Sequence, residues 1–270
     1  MYTAYWQLSR RPFETGLDLT AYYPSETHQS SLLKLRYALE HGGGIAVLGG
    51  AAGTGKTLLV KLLAQRLGTK FTPWVHVVFP QLSTSELLAY LAAEITSIDD
   101  LTLGLDRILR RIGQAVTTNA AQGQRAVLII DEAQLLAGPD TLETLRLLLN
   151  FEHEGRPAIS LLLVGQPALL AQLERSPQFD ERVMVKCLLR PLTCDETMSY
   201  VQHRLAQAGA RQAIFAPAAL EALHRQSQGV PRRINRLADL ALLVGFAEEQ
   251  PLVQERHIET VAQEFVELAA

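Results

Sequence analysis

Gly50-Ala51-Ala52-Gly53-Thr54-Gly55-Lys56-Thr57 constrains this chain more than any other stretch. It satisfies G-x-x-x-x-G-K-[ST] at every fixed position. Ile45-Ala46-Val47-Leu48 ahead of it reads as a short buried strand, and the run from Leu58 to Leu63 behind it reads as a helix. Glycines let backbone wrap closely around a polyphosphate, because no Cβ blocks the approach. The loop's N–H groups and the helix N-terminus then face the anion together. A chance match in a chain of this length is on the order of one in a hundred. The competing reading, a glycine-rich turn with an exposed lysine, is far weaker once strand and helix flank the loop. The spacing therefore predicts that Lys56 reaches the β- and γ-phosphates and that the Thr57 hydroxyl holds Mg²⁺.

A second stretch fits the first. Ala126-Val127-Leu128-Ile129-Ile130 is a continuous apolar run, the pattern of a parallel strand buried on both faces. Asp131 and Glu132 follow at its carboxyl end, where open α/β sheets bind ligands. Asp131 is expected to hold the metal, and Glu132 to orient and deprotonate the attacking water. A helix-capping acid pair is the plainer alternative, and Lys56 upstream argues against it.

Trp74 to Phe79, Ile159 to Val164 and Val183 to Leu189 read as further strands, which makes five in all. Gly165-Gln166-Pro167 ends one of them. Gln166 either senses the γ-phosphate and positions water or makes a simple loop hydrogen bond, and residue type leaves both open. Ser83 with Glu86, Asp140 with Glu143, and Thr193 with Glu196 stand at capping-box spacing. A break is expected at Ser97 to Asp100, with a helix from Leu103 to Ala121. From Pro191 onward only helical patterns follow. Pro217 and Pro231 fall at first-turn positions, and Ile258, Val261, Phe265 and Leu268 line a last helix. The expected organisation is an aromatic N-terminal arm over 1–30, a nucleotide-binding α/β domain over 31–190 and a helical lid over 191–270.

The net charge of −3 excludes a global basic field, so any DNA binding would be local. Arg107, Arg110 and Arg111 read as a solvated helix face or a partner patch. Two cysteines imply no disulfide framework and a reducing compartment, the cytoplasm. No signal peptide and no membrane-spanning run is legible.

These residues resemble the AAA+ ATPases, and within them the ExeA/MshM-like group related to the transposition ATPases TniB and TnsC. Tyr5-Trp6-x-Leu8 with Pro12-Phe13, Gly165-Gln166-Pro167, and Gly229-Val230-Pro231-Arg232 with Ile234-Asn235 carry the resemblance over almost the whole chain. It implies a P-loop fold: a parallel five-stranded sheet between helices, then a small all-α lid. It implies Mg-ATP as the bound nucleotide, held by the loop from Gly50 to Thr57 with Leu58, and by Asp131. It makes Asp131 and Glu132 the Walker B pair and puts Gln166 at sensor 1. Arg182, with Arg175 as rival, becomes the finger given to a neighbouring subunit. Arg232, with Arg233 as rival, becomes sensor 2. A homo-oligomeric ring or filament that regulates a partner complex follows from the resemblance, and a nucleotide-gated DNA adaptor is the alternative. Secretion-type ExeA proteins resemble this chain in their cytoplasmic part, while their membrane span and periplasmic cell-wall-binding domain have no counterpart in this sequence.

Overall fold

The structure is a computed structural model that describes residues 1–14, 16, 18–42, 44–97 and 104–267. The helices in chain order are α1 Tyr2–Tyr5, α2 Glu26–Tyr37, α3 Lys56–Leu67, α4 Thr84–Thr96, α5 Leu105–Ala121, α6 Pro139–Leu148, α7 Ala168–Glu174, α8 Pro177–Asp180, α9 Cys194–Gln207, α10 Pro217–Ser227, α11 Pro231–Ala247 and α12 Glu255–Glu267. The strands are β1 Ile45–Gly50, β2 Trp74–Val77, β3 Ala126–Ile130, β4 Glu152–His153, β5 Arg156–Pro157, β6 Ile159–Gly165 and β7 Val183–Leu189. The chain forms two compact units. One comprises Thr27–Ala51 with Leu59–Leu189. The other comprises Met1–Glu26, Ala52–Leu58 and Arg190–Ala270.

The first unit holds a five-stranded parallel sheet in the order β2-β3-β6-β1-β7. The central strands are almost wholly apolar because both of their faces are covered: β1, β3 and β6 are buried at every position, and Ser160 of β6 is the one polar side chain in these three strands. Val47, Leu128, Ile130, Leu161 and Leu163 share a core with Leu87 and Leu91 of α4, Ile112 of α5, Leu145 of α6 and Phe179 of α8. Burying one such side chain contributes roughly 1.5–3 kcal/mol. β7 lies at an edge, and its outward Met184 and Leu188 stay exposed.

Two expectations change here, and one hairpin is added. The strand from Trp74 stops at Val77, and Val78 and Phe79 are exposed. β2 is the other edge strand, and β3 is its only partner among the described residues. That pairing ends where the Asp131 N–H donates to Val77 O at 2.8 Å. The Asp140–Glu143 capping box is absent. Gly138, which has no side chain to offer, is the N-cap ahead of Pro139, and Glu143 instead accepts from Arg146 Nε at 2.7 Å. The β4–β5 hairpin escapes the periodicity analysis because each strand has only two residues. Its signal is Glu154-Gly155, both at positive φ, as a tight hairpin turn requires. The boxes at Ser83 and Thr193 are present as the spacing predicts. The expected break at Ser97 to Asp100, the helix start at Leu103 and the end of the last apolar face lie wholly or partly outside the described residues.

The second unit builds its core from both ends of the chain. Tyr2, Trp6, Leu8 and Phe13 are buried with Val201, Leu223, Ile234, Leu242 and Ile258. Trp6 donates its indole N–H to Leu242 O at 3.0 Å, and Arg204 Nε donates to Pro12 O at 2.7 Å. Phe13 meets Phe215 edge-to-face. Tyr2 hydrogen-bonds Asp239; burial and then that carboxylate push its hydroxyl up to about 12. Arg190 joins Glu196 Oε2 at 2.5 Å and Glu26 Oε2 at 2.9 Å. Burial raises the Glu196 carboxyl, but the Arg190 guanidinium and backbone N–H groups outweigh it, so the group sits below the ordinary carboxylate range.

Two stability experiments follow. A helix-interior glycine ordinarily costs about 1 kcal/mol against alanine. A Cβ at Gly113, however, would stand 2.7 Å from Phe151 Cε1. Gly113→Ala is therefore expected to destabilise by about 1–3 kcal/mol in chemical denaturation. Arg190→Met is expected to lower thermal stability at pH 7. A depressed carboxyl contributes stability above its unfolded value and loses it as pH falls through the folded value. The gap between Arg190→Met and the parent is thus expected to close below pH 4.5, the ordinary value of Glu196.

Candidate functional site

Parallel strands deliver their carboxyl ends to one edge of the sheet. In the sheet-bearing unit this edge carries Gly50 at the end of β1 with Ala51 after it, Asp131 after β3 and Gln166 after β6. Asp131 is buried, and its Oδ1 accepts the Glu132 N–H at 2.9 Å. Its Oδ2 lies 3.5 Å from His76 Nε2. That buried ring nitrogen has no hydrogen-bond partner among the described residues.

Glu132 has φ 48° and ψ 40°, the left-handed region. A non-glycine residue held there costs of order 1–3 kcal/mol, and such residues cluster at functional sites. The conformation turns the chain sharply off the strand into a 3₁₀ turn over Ala133–Leu135. That turn brings Gln134 back to the acid: its Nε2 donates to Glu132 Oε2 at 2.6 Å. Its Oε1 accepts the Gln166 backbone N–H at 3.0 Å, and the Gln166 side chain reaches the same Glu132 oxygen at 3.5 Å. Glu132 and Gln166, two of the candidate site residues, are therefore brought together. Gln134 was missed. Its only sequence signal is an amide two residues after the acid pair.

The glycine loop, Ala52–Leu58, belongs to the other unit. Gly53 at φ +81° and Gly55 at φ +97° supply the turn that side-chained residues resist. Thr54 and Lys56 are buried, while Thr57 and Leu58 are half-buried. Within the same unit the Arg232 N–H donates to Gly53 O at 3.3 Å. A Cβ on Gly53 would stand 2.8 Å from Arg232 Cβ and 3.2 Å from Val230 Cγ1. The loop and the start of α11 thus lie in contact, and Arg232 is the sequence-predicted residue that the structure brings to the loop.

The segment from Gly229 to Asn235 now has a physical account. A Cβ on Gly229 would fall 2.0 Å from Leu192 O, and the Leu192 N–H donates to Gly229 O at 2.8 Å, so only glycine fits. Pro231 opens α11. Ile234 enters the core, and Asn235 accepts the Tyr200 hydroxyl at 2.7 Å. Arg232, Arg233 and Arg236 are exposed on the first turns of α11.

Arg182 belongs to a different group of contacts. It is exposed, and its Nη1 donates to Asn150 Oδ1 at 2.9 Å. Arg175 is exposed at the C-cap of α7. Among the described residues no three His, Cys, Asp or Glu side chains form a self-contained metal cage, and no helix is long and apolar enough to cross a membrane.

Comparison with known proteins agrees with this architecture. A family model described as an AAA domain matches residues 39–173, half of the chain. General secretion pathway protein A of Aeromonas hydrophila is 39% identical over 250 residues. That match covers 92% of this chain and 45% of the relative, so the chain spans less than half of the relative's length. Among solved structures, Aeropyrum pernix ORC2 superposes with a TM-score of 0.68 at 20% identity, covering 95% of this chain and 72% of that one. Drosophila ORC bound to DNA gives 0.71 at 16% identity, covering 97% and 66%. The Thermotoga maritima RuvB Holliday junction branch migration motor gives 0.62 at 20%, covering 93% and 72%. At these identities the likeness to solved structures shows the fold.

The crowding around Gly53 generates a direct test. Gly53→Ala is expected to raise the dissociation constant for a nucleoside triphosphate at least tenfold, about 1.4 kcal/mol. Isothermal titration of parent and variant would measure it.

Proposed function

Because the chain belongs to the AAA-domain family, as an ExeA-like AAA+ ATPase, we propose that it binds and hydrolyses Mg-ATP and uses the nucleotide state to drive self-assembly and to regulate a partner complex. The observation that carries this reading is the convergence of Asp131, Glu132 and Gln166 on the sheet edge from which the phosphate loop departs.

The donor set fits Mg²⁺. The Thr57 hydroxyl and the Asp131 carboxylate are hard oxygens, and Mg²⁺ takes one or two such ligands with phosphate and water rather than a protein cage. The orphaned His76 nitrogen beside Asp131 fits a coordinated water. Bound there, the ion would neutralise charge on the β- and γ-oxygens. Lys56 is buried, and a buried ammonium persists where anionic groups or acceptors surround it, as a polyphosphate does. Glu132 takes a proton from water as the water oxygen bonds to the γ-phosphorus. The bond from that phosphorus to the bridging oxygen breaks, and ADP and phosphate leave. Gln166 orients this water or the γ-phosphate. Arg232 adds positive charge toward the phosphates from the start of α11. Arg182, exposed and held by one amide, is suited to serve the site of a neighbouring subunit. The partner is proposed to belong to an export apparatus, on the strength of the secretion relative's name, and the compartment to be the cytoplasm, where ATP is supplied.

A second reading rests on the exposed Arg232, Arg233 and Arg236: a DNA-associated adaptor gated by nucleotide. Its binding would weaken steeply with salt, because phosphate contacts release counterions.

Glu132→Gln is expected to lose at least about 100-fold in hydrolysis rate while still binding ATP, in line with removal of a general base. The mass in solution is to be measured with ADP and with a non-hydrolysable ATP analogue, with and without short duplex DNA. Assembly on the analogue alone supports the self-assembling regulator, and assembly only with DNA supports the adaptor. A monomer in every condition rejects self-assembly.

A further inference from the structure

We infer that Gln134 is a positioning residue that ties the Glu132 carboxylate to the end of β6, so that the loop at Gln166 and the base move as one. The inference rests on the reading of Glu132 as the base and goes beyond it by naming what orients that base.

Three observations carry it. First, the Gln134 amide has partners at both ends, and they demand opposite chemistry. Glu132 Oε2 can only accept, so it faces the NH₂ group at 2.6 Å; the Gln166 N–H can only donate, so it faces the amide oxygen at 3.0 Å. One amide orientation satisfies both, and Gln134 is therefore held rather than free to turn. Second, the anchor is rigid. The Gln166 N–H follows directly on β6, whose residues pair in register with β1 up to Gly49 opposite Gly165. Third, the room for this contact exists because residue 165 is glycine. A Cβ there would stand 2.5 Å from Gln134 Oε1, and it would also press on Leu169 Cδ2 at 3.0 Å.

The consequence is directional. Gln134 occupies Glu132 Oε2, and the Gln166 side chain converges on the same oxygen at 3.5 Å. That leaves Oε1 to receive the water proton. The left-handed backbone at Glu132 fixes the stem, and Gln134 fixes the head group. A γ-phosphate that shifts the Gln166 loop would then shift the carboxylate with it, through two hydrogen bonds.

The test compares Gln134→Met, Gly165→Ala, Gln134→Ala and the Gly165→Ala/Gln134→Ala double variant in steady-state ATP hydrolysis, with analogue affinity measured in parallel. Methionine keeps the length of the stem and removes both hydrogen bonds. The expected result for Gln134→Met is a 10- to 100-fold fall in kcat, with KM and analogue affinity within twofold of the parent. Gly165→Ala is expected to lower kcat by pushing the amide away, and to cost several-fold less once Gln134 is already alanine. An unchanged kcat in Gln134→Met overturns the inference. So does a loss that falls on KM and affinity instead of kcat, and so do fully additive effects in the double variant. Glu132→Gln, assayed beside them, separates the two levels. If it turns over at the parent rate, the base assignment itself fails. If it is inactive while Gln134→Met keeps the parent kcat, only the positioning role of Gln134 fails.

Discussion

Parallel pairing of β1, β3 and β6 is the constraint on which the candidate site depends. Strands that run in one direction and are covered on both faces are held to largely apolar residues, and these are, with Ser160 of β6 the one polar side chain. Charged and amide side chains then appear where the strands end. Parallel pairing puts those ends at one edge, so Glu132 and Gln166 become neighbours in space although the sequence holds them far apart. A parallel sheet also needs long crossovers, and the helices that make them supply the Leu87, Ile112, Leu145 and Phe179 layer that keeps the edge rigid.

At that edge the backbone does part of the chemistry. The left-handed turn at Glu132 reverses the chain immediately after a buried strand. Without it the carboxylate would continue along the strand direction, and Gln134 could not fold back on it. The strain is offset locally by the Glu132 N–H bond to Asp131 and by the Gln134 and Gln166 contacts. Polar groups that are partly buried and mutually satisfied in this way keep one geometry, because any other leaves a donor or acceptor unpaired.

The helical unit solves a different problem. The aromatic arm completes its core: Trp6 and Phe13 are buried among the side chains of α9 to α12. Tight backbone contact between Gly229 and Leu192 then fixes where α11 begins, and with it the position of Arg232 against Gly53. Geometry at the loop is therefore set by packing many residues away from it in sequence.

The sequence by itself determined the phosphate loop, the five strands, the acid pair and two of the three proposed capping boxes, because each is a local pattern whose physics lies within a few residues. The same local view put Asp140 at a cap it does not form and ran the β2 strand on through Val78 and Phe79. A cap depends on where the preceding chain arrives, and a strand ends where its partner ends. Only the tertiary structure decided that Gln134 bridges Glu132 to the Gln166 backbone, that Gly165 leaves room for it and that Gly229 abuts Leu192. Those relations join segments far apart along the chain, and close packing rather than local propensity sets them.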